Sequence, residues 1–359
     1  MLLTRWLHGS IAISRPSKTP WVLDSAPAES RGVCARLVIA AALTLAACNT
    51  VPTPSGHPPA EIVLPGNNSR FDYATIDSSR GLMFIAHLGA SEVIEVDVHA
   101  NRVVRTIPAL AQVHGVLAVA PLNRVFATAT GDNQIVAIDE TSGQVVGRAP
   151  TGDYPDGIAY DSRRNAIWTT NETAGTETVV DAGDLHPLRT VDAGSEVGNV
   201  GYDPIADLML VAVQGANDLA VIDPASMKVG DRIALPGCDH PHGLAIDSTD
   251  RLAFVACDHN DTLLTVDLTT RTVTAATTVG QNPDVLAYDP GAHRLVVAAE
   301  SGIVTTFDLQ GQTLTGAGPE FLAEDAHVVA VDPATHRRYY PIPHDRDGHP
   351  AVLIAESHQ

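Results

Sequence analysis

Apolar and polar positions return in the same order about every 42 residues along most of the chain. The stretches FDYATID, VHGVLAV, PDGIAYD, VGNVGYD, PHGLAID, PDVLAYD and AHVVAVD align without gaps. Their second position gives the series Asp72, His114, Asp156, Gly198, His242, Asp284 and His327, spaced by 42, 42, 42, 44, 42 and 43 residues. Five residues later stand Asp77, Asp161, Asp203, Asp247, Asp289 and Asp332, and only Val119 breaks that series. A Ser, Pro or Gly turn usually follows, then a second apolar run such as LMFIAH, RVFATA or RLAFVA. A third run ends in Asp97, Asp139, Asp181, Asp223, Asp267 and Asp308, and a fourth follows, such as RVVRTI or QVVGRA. Asp at the end of such a run can cap a tight turn through nearby backbone N–H groups.

Four short strands per unit, seven times over, predict an all-β fold, a seven-bladed β-propeller. A lone four-stranded sheet cannot bury both faces. Stacked radially, each sheet covers its neighbour, so runs such as IVAID need no polar alternation. The seventh unit is short of one strand: strands are expected near 327–332, 338–342 and 350–355 before the chain ends. Glu61-Ile62-Val63-Leu64 reads as the missing fourth strand, a velcro closure that pairs the two ends of the chain and leaves no open edge. The expected domain is one propeller over residues 61–356, built mainly on Val, Leu, Ile and Ala because aromatic residues make up only 4% of the chain.

The N-terminal region reads as an address. Residues 37–47, LVIAAALTLAA, form an apolar run after Arg36 that is too short to span a membrane and suits a signal-peptide core. A start at Val33 would shorten the long stretch before it. The run ends in Leu45-Ala46-Ala47-Cys48, which resembles the bacterial lipobox. The resemblance implies cleavage before Cys48 and acylation of its thiol, so that several acyl chains hold the protein to the membrane by a lipid anchor only. An ordinary signal peptide cut at a small residue is the alternative. On the lipoprotein reading, 1–47 is the signal, 48–60 is the lipidated Cys with a Pro-rich tether, and the protein is exported to the bacterial cell envelope. Asn49 tilts the expected anchor site towards the outer membrane, with a periplasmic face as the other choice.

Five of the 22 basic and two of the 42 acidic residues lie in 1–47, so the remainder carries 17 against 40, a net charge of −23. Such a surface repels phosphate backbones, which argues against nucleic acid, and suits small polar or cationic ligands or a basic envelope protein.

In a blade the innermost strand starts at one end of the central channel, called the top here. The series at Asp72 therefore falls on the channel mouth. Its polar members are His114, His242 and His327 with Asp72, Asp156 and Asp284, which are metal-ligand types. Three imidazoles with carboxylates suit a divalent transition metal such as zinc or copper better than calcium. The competing reading is a hydrated structural ring in which His and Asp satisfy one another. His87, Thr130, Glu172, Gln214, Asp258, Glu300 and His344 stand at the upper ends of the second strands. They are expected to line a polar funnel, with Glu172, Gln214, Asp258, Glu300 and His344 as the ligand-binding set.

The motifs CDHPHG at 238–243 and CDHN at 257–260 meet at the same rim in this scheme. Cys238 and Cys257 can form a disulfide if their Cα atoms lie about 4.4–6.8 Å apart. A soft metal site of Cys238, Cys257, His240 and His259 is the alternative, and two free thiols a third. With Cys34 removed and Cys48 lipidated, an even pair remains.

The second strand Ile167-Trp168-Thr169-Thr170-Asn171 and the starts Pro155-Asp156-Gly157 and Pro241-His242-Gly243 resemble the YVTN-type, YncE-like propellers. The resemblance implies a seven-bladed, usually exported propeller and says little about activity. No Walker loop, GxSxG elbow, HExxH or EF-hand loop occurs. The expected function is that of a monomeric, envelope-anchored binding or scaffold propeller. The alternative is a metal-assisted lactonase or lyase, with the ring His residues holding the cation and Glu172, Asp258 or Glu300 as base. Metal trafficking or sensing through the same ring is a third reading.

Overall fold

A computed structural model of the chain describes residues 60–356. They form seven four-stranded antiparallel sheets arranged as a β-propeller. Six blades use consecutive strands, running from Ala74–Asp77 to Arg102–Pro108 in blade 1 and from Pro283–Asp289 to Thr313–Phe321 in blade 6. Blade 7 takes Ala330–Asp332, Arg337–Ile342 and Ala351–Ala355 from the end of the chain and its outer strand, Ala60–Val63, from the beginning. The pairing runs antiparallel from Ala60 opposite Ile354 to Val63 opposite Ala351. The velcro strand thus forms one residue earlier than the pattern suggested. The expected signal peptide of 1–47, Cys48 and the expected tether up to residue 59 lie outside the described residues. No helix among the described residues is long and apolar enough to cross a membrane.

The apolar residues fall into seven clusters, one at each interface between neighbouring blades. Each sheet gives one face to the blade before it and the other to the blade after it. Between blades 2 and 3, for example, Phe126 and Ile135 pack against Ile167 and Val180. The closing interface is equally well built: Ile62 and Leu64 pack with Phe71, Met83, Ile85, Tyr339 and Val352. The innermost strands touch in sequence around the axis, and Ala330–Asp332 touches Ala74–Asp77 to complete the circle.

The repeated Asp residues do what their place in the pattern suggests. Oδ1 of Asp77, Asp161, Asp203, Asp247, Asp289 and Asp332 accepts a hydrogen bond from the backbone N–H two residues on, at 2.8–3.0 Å. Asp97, Asp181, Asp223 and Asp267 repeat the device after the third strand. These bonds satisfy turn N–H groups and help set hairpin register. In blade 2, where Val119 replaces the Asp, a 3₁₀ turn at Ala120–Leu122 makes the connection.

One residue breaks the interblade pattern. The second position of the third strand is Val93, Ile135, Leu219, Leu263 and Val304 in five blades, all buried. Blade 3 places Glu177 there, fully buried, with no hydrogen-bond partner for either carboxylate oxygen. Burial pushes its pKa well above the ordinary carboxylate range. A raised folded-state pKa means that its cost grows as pH rises above the unfolded value. Glu177→Leu is expected to stabilise the protein by about 1–3 kcal/mol, the usual cost of an unpaired buried polar group. Thermal melts should show a larger gain at pH 8 than at pH 5.

Candidate functional site

The chain approaches each innermost strand through a tight turn. Two residues before the ring position, Gln112, Tyr154, His240, Asn282 and Asp325 all have left-handed backbone, with φ between 47° and 62°. That conformation is costly for residues other than Gly and Asn, and five blades share it because the turn must lift the chain onto the channel mouth. It creates a tier above the ring: Arg70, Gln112, Tyr154, Glu196, His240, Asn282 and Asp325. Every member is polar. Their 42-residue spacing repeats that of the ring, and this offset series was the available signal for Arg70, the most important site residue absent from the sequence-based set.

Ring and funnel together line a top-face cavity of about 530 Å³. Its lower wall holds Asp72, His114, Asp156, His242 and Asp284, and Glu172, Gln214, Asp258 and Glu300 rise around them. Four of the five expected ligand-binding residues are therefore brought together. The fifth, His344, is exposed and stands outside the lining. His87 and Thr130 turn inwards as packing: His87 is buried and stacks on Phe71 at 4.4 Å between ring centroids, and the Thr130 hydroxyl donates to the Pro155 carbonyl. Gly198 keeps the ring tight, since a Cβ there would lie 2.8 Å from Cα of His242. Tyr73 forms the floor. Its hydroxyl crosses from blade 1 to donate to Oδ1 of Asn199 in blade 4 at 2.9 Å. It also lines a second cavity of about 300 Å³ in the lower channel.

The guanidinium of Arg70 stands among the ring carboxylates. It lies 3.3 Å from Asp72, 3.4 Å from Asp284 and 2.7 Å from Glu300. Burial works against its charge, but these carboxylates hold it protonated. A second cation is His242, whose Nε2 lies 3.2 Å from Asp284. Burial alone would lower its pKa; the hydrogen bond to Asp284 and the charges of Asp284, Asp156 and Glu172 raise it to about 10. Its Nδ1 lies 2.7 Å from the Gln214 amide. With the amide turned so that its carbonyl accepts, the imidazolium donates at both ends, and a buried Gln214 oxygen otherwise left without a partner is satisfied.

The carboxylates respond unequally. Burial pushes Asp284 up, but the hydrogen bond and charge of His242, with His327 and Arg70, hold it at about 2. Burial raises Asp72 to about 7 despite His114 and Arg70. Burial also raises Asp156 to about 7, and its Oδ1 has no partner. Glu172 is raised as well, first by burial and then by Glu196.

The three ring imidazoles are engaged at every nitrogen. His114 donates from Nδ1 to the Gln112 carbonyl at 2.8 Å, and its Nε2 meets the Tyr154 hydroxyl at 3.2 Å. His327 is buried behind the cavity wall, with Nδ1 2.9 Å from the Asp325 carbonyl and Nε2 3.0 Å from that of Phe71. Oxygens of Asp72 and Asp284 approach His327 closely enough to suggest a cation site, but Arg70 already places a positive charge between the two carboxylates. Five of the six expected metal-ligating residues line one mouth, with His327 behind its wall, and the three imidazoles spend their nitrogens on protein partners.

At the rim of blade 5, Cys238 and Cys257 form a disulfide with Cα atoms 5.3 Å apart. It joins the loop leading into the blade to the end of the second strand. Pro241 pairs with Cys257, and Asp258 N–H donates to the His240 carbonyl at 3.2 Å.

No protein family and no curated protein matches the chain. Solved structures do. Hydrazine synthase of Kuenenia stuttgartiensis is 13% identical, with a TM-score of 0.69 over 85% of this chain and 99% of that one. A streptogramin B lyase is also 13% identical, at 0.69 over 83% and 97%. The WD40 repeats of RRP9 are 11% identical, at 0.72 over 84% and 99%. At such identities the likeness shows the propeller fold and nothing finer.

The orphaned Asp156 oxygen has a measurable consequence. Asp156→Asn is expected to raise the melting temperature at pH 8, where the wild-type carboxylate is ionised and buried. The gain should shrink towards pH 5, because the folded wild type has by then taken up its proton near pH 7.

Proposed function

We propose that the chain is an envelope-anchored binding propeller, of the YVTN type, that takes a small cationic or polar molecule into its top funnel. The observation that carries this reading is the charge of that cavity. Six carboxylates line it, Asp72, Asp156, Glu172, Asp258, Asp284 and Glu300, against the built-in cations Arg70 and His242. The walls come from distant parts of the chain and are rigid, so a ligand is met by a preformed, low-dielectric cup that strengthens each ion pair. The net charge of the chain steers cations towards it. The anchoring half of the proposal rests on residues 37–48, with Cys48 as the acylated residue and the cell envelope as the location.

A second reading is a lactonase or lyase acting at the same face. A lyase stands among the structural neighbours, and Glu172, raised by burial and facing the cavity, has the character of a general base.

Isothermal titration against a panel of small amines, guanidinium compounds and quaternary ammonium ions tests the first reading. Binding should weaken at least tenfold in Glu172→Gln and fall with salt. It should strengthen severalfold from pH 6 to pH 8, because Asp72 and Asp156 lose their protons near pH 7 and add negative charge while His242 stays protonated. No cation binding at pH 8 and low salt would exclude it. Turnover of lactones or esters that Glu172→Gln abolishes would favour the second reading.

A further inference from the structure

The loop that carries the disulfide holds a second group of ligand-type side chains, on the rim and apart from the ring. The imidazoles of His240 and His259 lie face to face, 4.0 Å between centroids and 8° from parallel. Oδ1 of Asp258 accepts a hydrogen bond from His240 Nδ1 at 2.8 Å. One nitrogen of each imidazole and one oxygen of Asp258 all lie within 4.8 Å of one another. Glu196 reaches in from blade 4, its Oε2 4.0 Å from His240 Nε2.

Three features set this cluster apart from the ring. First, its nitrogens are available. Asp258 claims Nδ1 of His240, which leaves the Nε2 lone pair outward, and the His259 ring makes no hydrogen bond among the described residues. A carboxylate holding the far nitrogen of an imidazole is the usual outer partner of a metal-bound His, since it orients the ring and raises its basicity. Second, a nitrogen of each stacked imidazole lies within 4.8 Å of the other, and a small rotation of the exposed His259 ring lets one cation reach both. Third, the supporting backbone is stapled. Cys238-Asp239-His240 and Cys257-Asp258-His259 are tied by the disulfide, and the N–H groups of Asp258 and His259 donate to the carbonyls of His240 and Asp239. Ordering these segments before a metal arrives lowers the entropy cost of binding. The sulfur atoms, being joined, cannot act as thiolate ligands, so the donor set is nitrogen and oxygen.

We propose that His240 and His259, with Glu196 from blade 4, form a divalent transition-metal site on the rim of blade 5, with Asp258 orienting His240 from behind through Nδ1 and the Cys238–Cys257 disulfide holding the two segments in register. Imidazole with carboxylate suits Zn²⁺, Cu²⁺ or Ni²⁺ over Ca²⁺ and Mg²⁺, which prefer all-oxygen shells. His240, Asp258 and His259 also line the funnel cavity, but the proposal rests on their own geometry and not on the small-ligand reading.

Chelator-stripped protein titrated with Zn²⁺ and, separately, Cu²⁺ tests it, with elemental analysis for stoichiometry. One ion per chain is expected. The affinity should fall at least tenfold in His259→Gln, an exposed position whose change leaves the fold intact by circular dichroism, and about 10–100-fold in Asp258→Asn. Electron paramagnetic resonance of the Cu²⁺ form should show coupling to imidazole nitrogens that diminishes in His259→Gln. Reducing the disulfide should weaken binding. His186→Ala, at the exposed Asp181–Asp184–His186 cluster, should leave the titration unchanged. Undiminished stoichiometric binding in the His240→Ala/His259→Gln double variant, or no binding by the stripped wild type, would overturn the proposal.

Discussion

The pairing of Ala60–Val63 with Ala351–Ala355 is the constraint on which the rest of the molecule depends. Six blades can stack in sequence without it, but the seventh would lack its outer strand and the interface between blades 7 and 1 would lose Ile62 and Leu64. Asn68 reinforces the joint, its amide donating to the carbonyls of Pro343 and Gly348. Once the circle is shut, the radius at the axis is set by sheet packing, and seven strand starts are forced to face one another. Everything described at the mouth follows from that: residues 256 positions apart become hydrogen-bond partners, as His327 and Phe71 do.

Convergence brings an electrostatic difficulty. Three ring carboxylates at one end of a narrow channel repel each other and are desolvated. The protein answers with two cations of its own, Arg70 and an imidazolium at His242, and with protons on Asp72 and Asp156 near neutral pH. The ring is thus balanced internally but only in part; in the funnel above it Glu300 pairs with Arg70 and Asp258 with His240, while Glu172 makes no ion pair among the described residues. That residue of charge is the physical basis for expecting a cationic guest. It also explains why the ring imidazoles, all engaged, are poorer metal ligands than the looser pair at the rim. A site that must be rigid to define a channel cannot also leave its lone pairs open, whereas the stapled loop of blade 5 can.

Among the structural neighbours are a lyase, a synthase and WD40 repeats on the same scaffold. Such breadth is expected of a propeller, because blade packing uses the strands and leaves the top-face loops free to vary. Function has to be argued from those loops, and here they are acidic, cup-shaped and, in blade 5, cross-linked.

The 42-residue period, the four runs per unit and the stray strand at the start were enough by themselves to determine the propeller, its blade count and its closure. Burial between blades requires apolar residues on both faces of a sheet, and turns require Asp at fixed places, so the fold is written locally and repeatedly. The same period brought five of the six ring residues and four funnel residues to one cavity, since equivalent positions in a closed circle share a radius. Only the tertiary structure decided what they do there. Arg70 enters the ring, His327 withdraws behind the wall, and His344 points to solvent, although each falls at or near a repeat position. Those outcomes depend on which side chain from another blade reaches a given charge first, and on φ at the turn that aims it. Such distances run across the axis between segments with no sequence proximity, and no periodicity along the chain encodes them.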